Sequence, residues 1–417
     1  MKIVTLNSKQ FDNFAKNHRY RNFYQTSAYG SLMTKFGYNI HYLGIVSDTN
    51  KLIGATLILY KNIFMNNKIA YAPRGILFNY ENIDDLEDVI KKIKQVLGKQ
   101  GFMLLRIDPY IPLTIRDYNG TIMNFNNQGN KIIENLKSTG FEYKGKTTTF
   151  ETEKPRWESL IILNNNTQEL FSKFDKRTRN KIRRGLNFGI NVVKDEEKNI
   201  DKLYLYIKKE FRKPKAYFKQ IIENFGDDAE VYYAKINTEI FTENSKNAYE
   251  KELENNSILS SMIQDQSLDE KQKNNVLNKK MESDKLLDTY KNAMIQATQL
   301  LKEYPDGITI GGAISIIYDN ASYIIAEGID PKYKSQNPEY VIKWKMIEEY
   351  TKKNLKYINL GGIIGQFEKE NIYNEKKLGF NTTITEYIGE FDIVLNNFSY
   401  NLYKSFIKNK KKTNDKK

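Results

Sequence analysis

Apolar residues recur at alternating steps of three and four along the segment 239–303. In its second half they stand at Leu287, Tyr290, Met294, Ala297 and Leu301, which is the a/d pattern of a coiled coil. A looser stripe of the same kind crosses the first half, at Tyr249, Leu253, Leu259, Met262 and Ile263. Residues 265–267 interrupt the pattern, and Ser267 with Glu270 has the spacing of a capping box that opens the second helix. The pattern predicts an arm of two antiparallel helices, which either holds a large partner or is a surface hairpin without one.

Shorter periodic segments on both sides of the arm indicate an α/β (α+β) fold. Apolar runs predict strands at 40–46, 52–63, 102–107, 158–163, 231–236, 308–318, 321–327, 357–360 and 385–394. Amphipathic runs predict helices that include 82–98, 167–186 and 338–353. A similar order of elements in both halves indicates two related acyltransferase-like units. We predict domains at 1–150 and at 151–238 with 304–396, an arm at 239–303 and a basic tail at 397–417.

Cysteine and histidine usage narrows the possible chemistry. The 417 residues include no cysteine, which excludes disulfides, thiolate catalysis and Cys-based zinc sites. The two histidines, His18 and His41, stand in no motif, so we predict neither a metal nor another cofactor. The longest strongly apolar run, 52–60, is far shorter than a membrane span, and the first residues have no signal-peptide core. These features predict a soluble cytoplasmic protein.

The net charge of +14 is unevenly distributed. The arm carries −3 and the segment 404–417 carries +6, which leaves +11 on the rest of the chain. A basic body suits a polyanion such as RNA, a diphosphate or an anionic membrane surface. The alternative is that abundant Lys, Asn, Ile and Tyr reflect AT-rich codon usage rather than a ligand.

The predicted helix 167–186 carries the densest run of cations in the chain. Five basic residues fall within little more than two turns, and only Asp175 is a nearby acid: Arg177, Arg179, Lys181, Arg183 and Arg184. Guanidinium groups at this density match the geometry of phosphate groups. The run therefore predicts a phosphate-binding surface, against the alternative of a solvated helix face.

Two strand ends offer candidate site residues. Asp108 follows the predicted strand 102–107, where ligand sites of α/β proteins cluster. This carboxylate either orients or deprotonates an attacking amine, or forms the turn before Pro109. Gly361 and Gly362 follow the strand 357–360 and permit close approach of the backbone to a ligand. Basic and aromatic residues also cluster at 213–218 and 375–380, where each cluster alone is a weak signal.

A series of short motifs resembles a known family. In chain order they are FYQTSAY at 23–29, APRG at 72–75, RIDP at 106–109, the basic run 177–184, YINLGGI at 357–363, KLGF at 377–380 and EYIGEFDIVL at 386–395. The series is similar to that of the Fem-type peptidoglycan-bridge aminoacyltransferases, the FemABX family. The resemblance extends to about residue 396, and the arm stands where arm-bearing members carry theirs.

The resemblance implies two GNAT-like acyltransferase domains and a reaction. An amino acid would pass from aminoacyl-tRNA to an amine on the stem peptide of lipid II or of UDP-MurNAc-pentapeptide. Such an enzyme would bind tRNA on its basic body and arm. Its basic tail would allow peripheral contact with the cytoplasmic face of the membrane. Homo- or hetero-oligomers with related transferases are also implied.

The resemblance also assigns roles to single residues. Lys35 and Lys213, with Arg212 adjacent, match the positions that grip the diphosphate of the precursor. Tyr217 matches a nearby site tyrosine, and Lys377 matches a lysine near the acyl donor. The remaining substrate-binding positions that we predict are Arg74, Gly361 and Gly362, and Asp108 is the second catalytic candidate. Lys376 and Ile325 depart from the family, which has Phe and Tyr there.

Two other functions compete with this interpretation. An acetyl-CoA-dependent N-acetyltransferase would need a pyrophosphate-binding loop of the [QR]-x-x-G-x-[GA] type, and no such stretch stands in a plausible place. A non-catalytic RNA- or partner-binding coiled-coil protein would leave Asp108, Lys377 and the ordered motifs unexplained. An aminoacyl ester is already activated, so transfer from it needs no cysteine nucleophile.

Overall fold

The computed structural model describes residues 1–64, 67–265, 267–367 and 372–414. Its strands are β1 Lys2–Thr5, β2 Asn39–Val46, β3 Leu52–Phe64, β4 Asn67–Ala72, β5 Phe102–Ile107, β6 Pro112–Arg116, β7 Ile122–Phe125, β8 Glu142–Tyr143, β9 Trp157–Ile162, β10 Ile190–Lys194, β11 Ala229–Ile236, β12 Ile308–Tyr318, β13 Ala321–Ile329, β14 Tyr357–Gly362, β15 Thr383–Tyr387 and β16 Phe391–Val394.

The helices are α1 Ser8–Ala15, α2 Ser27–Thr34, α3 Ile83–Lys99, α4 Asn127–Ser138, α5 Thr167–Lys173, α6 Lys176–Asn187, α7 Asp201–Ile207, α8 Lys215–Phe225, α9 Thr238–Ile263, α10 Glu270–Glu303, α11 Pro338–Lys352, α12 Ile372–Leu378 and α13 Asn397–Asn414. The predicted basic tail thus begins as a helix, whereas its lysine side chains from 408 onward lie outside the described residues. In the described part of the chain, no helix is long and apolar enough to cross a membrane.

The strands form two sheets. The first sheet has the order β1-β2-β3-β4-β5-β16-β8, and the second has the order β10-β11-β12-β13-β14-β9-β15-β6-β7. β4 pairs with β5 in parallel, as β13 does with β14, and the remaining ladders are antiparallel. The two sheets and the inserted helical arm confirm the predicted α/β fold class.

Each sheet includes strands from both predicted domains. The predicted single strand 385–394 is in fact β15 and β16, which pair with β6 and β5 in different sheets. Gly389 lies between them at φ +101°, where a Cβ would approach the Arg156 guanidinium to 2.7 Å. β6 and β7 likewise join the second sheet. The second sheet therefore contains β6 and β7 from the segment before residue 150, and the first sheet contains β16 from the segment after it.

The predicted helix 167–186 is divided into α5 and α6. Phe174 is extended, with ψ 152°, and its buried ring lies 5.2 Å from the Phe380 ring. The Asp175 side chain then caps α6 by accepting from the Thr178 amide. Burial of the Phe174 ring and capping of α6 by Asp175 therefore favour two helices over the single helix that the apolar pattern predicts.

The arm joins two adjacent strands of the second sheet. β11 and β12 pair antiparallel, and α9 and α10 are inserted between them as the predicted antiparallel helices. At the base, the Thr238 hydroxyl donates to the Tyr304 carbonyl at 2.8 Å. The two ends of the arm therefore lie side by side.

The cap of α10 differs from the prediction. Asp269 and Gln272 form the capping box, rather than Ser267 and Glu270. The Ser267 hydroxyl instead donates to the Asp265 carboxylate within the turn. The helix consequently begins at Glu270.

The seam between the arm helices is more polar than predicted. The predicted stripe of α10 is buried or half-buried throughout. On α9, however, Leu253 and Met262 are exposed, whereas Glu252 and Asn256 face the partner helix. Asn256 donates to the Ser283 hydroxyl at 3.0 Å, and that hydroxyl donates to Glu252. Hydrogen bonds at this level therefore replace apolar contacts.

A shared apolar core joins the two units. The Phe23 ring, just before α2, lies 4.9 Å from the Tyr323 ring of β13 and 6.1 Å from the Phe225 ring of α8. Leu57 of β3 and Ile314 of β12 belong to the same buried cluster. This packing fixes α2 and α8 beside the ends of β13 and β14.

Candidate active site

The segment that follows α12 holds Lys377 in a fixed position. The Asp175 amide donates to the Gly379 carbonyl at 3.0 Å. A Cβ at Gly379 would overlap the side chains of Asp175 and Thr178, so only glycine allows this approach. Phe380 is buried in the core of the second sheet. The glycine and phenylalanine of the KLGF motif therefore anchor the lysine that precedes them.

Lys377 reaches the end of β14. Its Nζ donates to the Gly362 carbonyl at 2.7 Å. The preceding residue, Gly361, has φ +80°, a conformation that favours glycine. Burial, followed by repulsion from the Lys343 ammonium, lowers the pKa of Lys377 to about 8. The side chain is thus a partly buried ammonium whose charge can be lost in mildly alkaline solution.

Two cavities adjoin one another at Lys377. The Tyr217 cavity, of about 300 Å³, is lined by residues that include Tyr24, Glu158, Lys213, Tyr217, Gly361 and Gly362. The Glu339 cavity, of about 220 Å³, is lined by residues that include Glu210, Ala326, Glu327, Glu339, Lys343 and Lys376. Phe211, Ile324, Leu360 and Lys377 line both cavities. A group bound in each cavity would meet its counterpart beside the Lys377 ammonium.

Of the three predicted diphosphate ligands, Lys213 lines the Tyr217 cavity, whereas Lys35 and Arg212 do not. Lys213 lies with its Nζ 5.2 Å from the centre of the Tyr217 ring, and Arg212 is exposed beside it. Exposed Lys35 caps α2 and precedes Phe36, whose ring lies 5.3 Å from the Tyr217 ring. Within the described part of the chain, none of these three cations forms an ion pair. A bound anion would therefore meet uncompensated positive charge.

Arg74 and Asp108 lie inside the protein rather than on a cavity wall. Arg74 is 2% exposed, and its guanidinium lies 2.7 Å from the Glu158 carboxylate and 3.7 Å from that of Asp108. The Arg74 amide also donates to Asp108 at 2.6 Å. Burial raises the pKa of Asp108 to about 6, although Arg74 opposes the shift. Neither residue lines the Tyr217 or Glu339 cavity, and together with Glu158 the two form an internal brace.

Glu158 is the site residue that the sequence analysis missed. Its carboxylate accepts hydrogen bonds from Asn359 at 2.7 Å and from the Tyr387 hydroxyl at 3.0 Å, and it pairs with Arg74. Glu158, on β9, therefore connects β14 and β15 to the segment that follows β4, at the wall of the Tyr217 cavity. The available signal was a single acid within the apolar strand WESLII.

The predicted cluster of cations on α6 is divided between faces. Arg179 donates to the Ser172 carbonyl, and Lys181 donates to the Tyr340 hydroxyl at 2.9 Å and to Glu375 at 3.3 Å. The exposed members are Arg177, Arg183 and Arg184. Three of the five cations therefore face solvent, because Arg179 turns back toward the end of α5 and Lys181 turns toward partners that are distant in sequence.

A groove of about 830 Å³ lies between α6 and the base of the arm. Its polar lining residues include Arg183, Arg184, Asn244, Asn247, Asn292 and Gln296. Phe188, Phe241 and Tyr290 line it as well. Guanidinium and carboxamide groups on facing walls suit a polar, anionic chain.

Comparison with known proteins identifies the family. The model of the FemAB family matches residues 6–408. Aminoacyltransferase FemB of Staphylococcus epidermidis is 26% identical over 430 residues, which cover 99% of this chain and 100% of that protein. Aminoacyltransferase FemA of the same species is 24% identical over 425 residues, with 99% and 100% covered. A lipid II:glycine glycyltransferase of that species is 22% identical over 418 residues, with 96% and 95% covered.

A solved structure supports the same relationship. The crystal structure of FemX superposes with a TM-score of 0.72 at 20% sequence identity, over 96% of this chain and 99% of that chain. The two proteins therefore share a fold. Together with the match over residues 6–408, this confirms the predicted family, and the chain belongs to the FemAB family.

Proposed function

We propose that this chain is an aminoacyltransferase that moves an amino acid from aminoacyl-tRNA to an amine on the stem peptide of a peptidoglycan precursor. Membership of the FemAB family supports the proposal, as do relatives named aminoacyltransferase and lipid II:glycine glycyltransferase. The observation that carries it is the position of Lys377 between two adjoining cavities. One cavity would hold the acceptor amine and the other the aminoacyl ester.

The reaction needs little covalent help from the protein. The neutral amine nitrogen attacks the ester carbonyl carbon, and the new C–N bond forms as negative charge develops on the carbonyl oxygen. The bond to the terminal ribose oxygen then breaks, and the ribose leaves as a hydroxyl with the proton that the amine releases. The Lys377 ammonium would offset the developing charge, a contribution that is large in a site shielded from water. Holding both reactants in place supplies the rest.

The acceptor would enter the Tyr217 cavity. Its diphosphate, whether lipid-linked or UDP-linked, would bind Lys213 on the cavity wall together with the exposed, uncompensated cations Lys35 and Arg212. Tyr217 would then pack against the sugar or peptide that follows, and the backbone at Gly361 and Gly362 would line the path toward Lys377.

The internal brace would act on the same cavity indirectly. Arg74 pairs with Glu158, which does line the Tyr217 cavity, and Asp108 in turn holds Arg74. We therefore propose that both are positioning residues for Glu158 rather than groups that contact the reacting atoms.

The donor RNA would lie along α6 and the arm. The exposed Arg177, Arg183 and Arg184 suit a phosphodiester backbone, and Arg183 and Arg184 also line the groove beside the arm. The tail 404–417 would add attraction to anionic lipid at the cytoplasmic face of the membrane. Assembly with a second copy or with a related transferase belongs to the same proposal.

Transfer of label tests the proposal. Total tRNA charged with radiolabelled amino acids is incubated with the purified protein and, in parallel, with lipid II or UDP-MurNAc-pentapeptide. Label in amide linkage on either precursor is expected, and single amino acids then identify the donor. No label on either acceptor, together with acetylation of an amine from acetyl-CoA, would refute the proposal.

A further inference from the structure

One carboxylate in the Glu339 cavity has an oxygen without a donor. Glu339 lies in the first turn of α11 and is 4% exposed. Its Oε1 lies 3.0 Å from the Lys376 ammonium, whereas its Oε2 has no hydrogen-bond partner among the described residues. A buried hydrogen-bond acceptor without a donor destabilises the folded state, and native proteins contain few such atoms. The free oxygen therefore marks a place for a ligand that carries N–H groups.

The two lysines that line this cavity besides Lys377 are already paired, whereas the exposed Glu210 forms no ion pair among the described residues. The Lys343 ammonium binds Glu327 and also donates to the Glu339 carbonyl at 3.3 Å. Lys376 is occupied by Glu339 itself. Apolar groups of Ala326, Ile329 and Leu360 form other parts of the wall. Among the described acids of this wall only Glu339 is buried. Its free oxygen beside a small apolar surface suits a primary ammonium group next to a small side chain.

We propose that Glu339 Oε2 binds the α-ammonium group of the aminoacyl donor, an inference that rests on the proposed function. The α-nitrogen of an aminoacyl ester is two bonds from the ester carbonyl carbon. With that carbonyl beside Lys377, the nitrogen lies in the Glu339 cavity, which Lys377 also lines. The side chain of the amino acid would contact the apolar wall.

This contact has a chemical consequence for the reaction. An α-amino group titrates near neutral pH, and an adjacent carboxylate favours its protonated form. A protonated amine has no lone pair with which to attack an ester. Glu339 would therefore keep the donor amine from acting as an acceptor, while the acceptor amine on the other side of Lys377 stays free to react.

Binding of two matched RNA probes tests the inference without turnover. Both are acceptor-stem hairpins ending in CCA with a stable 3′ amide, one carrying alanyl and the other propionyl, which lacks only the amine. Wild-type protein should bind the alanyl probe about tenfold or more tightly, as expected for a charge-assisted hydrogen bond. Equal affinities for the two probes would overturn the proposal, whatever the variants do.

Two substitutions separate ligand binding from a structural role of the ion pair. Glu339→Gln should abolish the preference for the alanyl probe. Lys376→Gln should keep or increase it, because the Glu339 carboxylate loses a competing cation. If Glu339 served only to pair with Lys376, both variants would change the two affinities alike. That result would overturn the proposal.

The same measurements distinguish this inference from the proposed function. Retained preference for the alanyl probe without any transfer to either precursor would count against the proposed function alone. Transfer at normal rates without such preference would count against the Glu339 subsite alone. Thermal unfolding of each variant confirms that the affinities refer to folded protein.

Discussion

The ammonium nitrogen of Lys377 lies 2.7 Å from the carbonyl oxygen of Gly362, where the Tyr217 cavity and the Glu339 cavity adjoin. The hydrogen bond fixes the charged end of a flexible side chain at the end of β14. Burial makes that charge sensitive to pH, because it lowers the pKa of Lys377 to about 8.

The pH dependence of transfer should report Lys377. The ammonium form is lost as pH rises through about 8, so the single-turnover rate at saturating substrates should fall above that pH. Lys377→Arg keeps its charge throughout this range, and the fall should be absent in that variant even if its rate is lower. The same descending limb in both proteins would assign the titration to another group.

A methyl group at Gly379 should loosen the segment that carries Lys377. Gly379→Ala would push against Asp175 and Thr178, and forced overpacking costs about 1–3 kcal/mol of unfolding free energy. Transfer should fall as well, because Lys377 would shift. Chemical denaturation and transfer rates measure the two effects.

Gly98→Ala is the matched control for that substitution. Gly98 lies within α3, and a Cβ there would have as its nearest neighbour the Leu395 carbonyl at 3.5 Å. Alanine is favoured over glycine in a helix by about 1 kcal/mol, so this variant should be slightly more stable and fully active. Equal effects of the two alanines would contradict the close packing described for Gly379.

Removal of Arg74 should destabilise the protein strongly. Arg74→Met leaves the carboxylates of Asp108 and Glu158 buried without a counter-charge, at a cost of about 3–5 kcal/mol in unfolding free energy. The exposed pair between Arg19 and Glu81 provides the comparison, since Arg19→Met should cost less than about 1 kcal/mol.

A loss of stability alone does not show that Arg74 positions Glu158, so the kinetics of transfer are measured as well. Arg74→Lys restores one positive charge and should recover much of the lost stability. A single ammonium does not hold two carboxylates as a guanidinium does, so the KM for the precursor should stay raised while kcat changes less. A variant with normal KM would show that the brace is structural only.

The arm should be dispensable for binding the precursor. Its ends lie side by side at Thr238 and Tyr304, so a short glycine linker can replace residues 239–303 without moving β11 or β12. Affinity for UDP-MurNAc-pentapeptide should be unchanged, whereas the KM for charged tRNA should rise. Loss of precursor binding in a folded deletion variant would contradict the placement of the acceptor in the Tyr217 cavity.

Features with a local signal were predictable from the sequence. The helices of the arm follow from apolar spacing alone, and the strands 102–107 and 308–318 have the predicted bounds. Lys213, Tyr217 and Lys377 line one cavity, and the roles that the resemblance assigns to them stay predictions. In each case the deciding pattern spans only a few neighbouring residues.

Features that depend on distant contacts were not predictable. The exchange of β6 and β16 between sheets is fixed by pairing with β15 and β5, across more than a hundred residues, which no local pattern records. Glu158 and Glu339 appear in sequence as ordinary acids, because their burial is caused by elements elsewhere in the chain. Lys181 was predicted to be one of the phosphate-binding cations, because its partner Glu375 is 194 residues away in the chain.

The most direct test of the account is single-turnover transfer by Lys377→Met, with charged tRNA and precursor both saturating. Methionine keeps the length of the side chain without its charge, so the rate should fall by about 100-fold or more if the ammonium offsets oxyanion charge. Lys137→Met, which removes an exposed lysine of α4, should transfer at the wild-type rate. A wild-type rate for folded Lys377→Met would contradict the central role assigned to this residue.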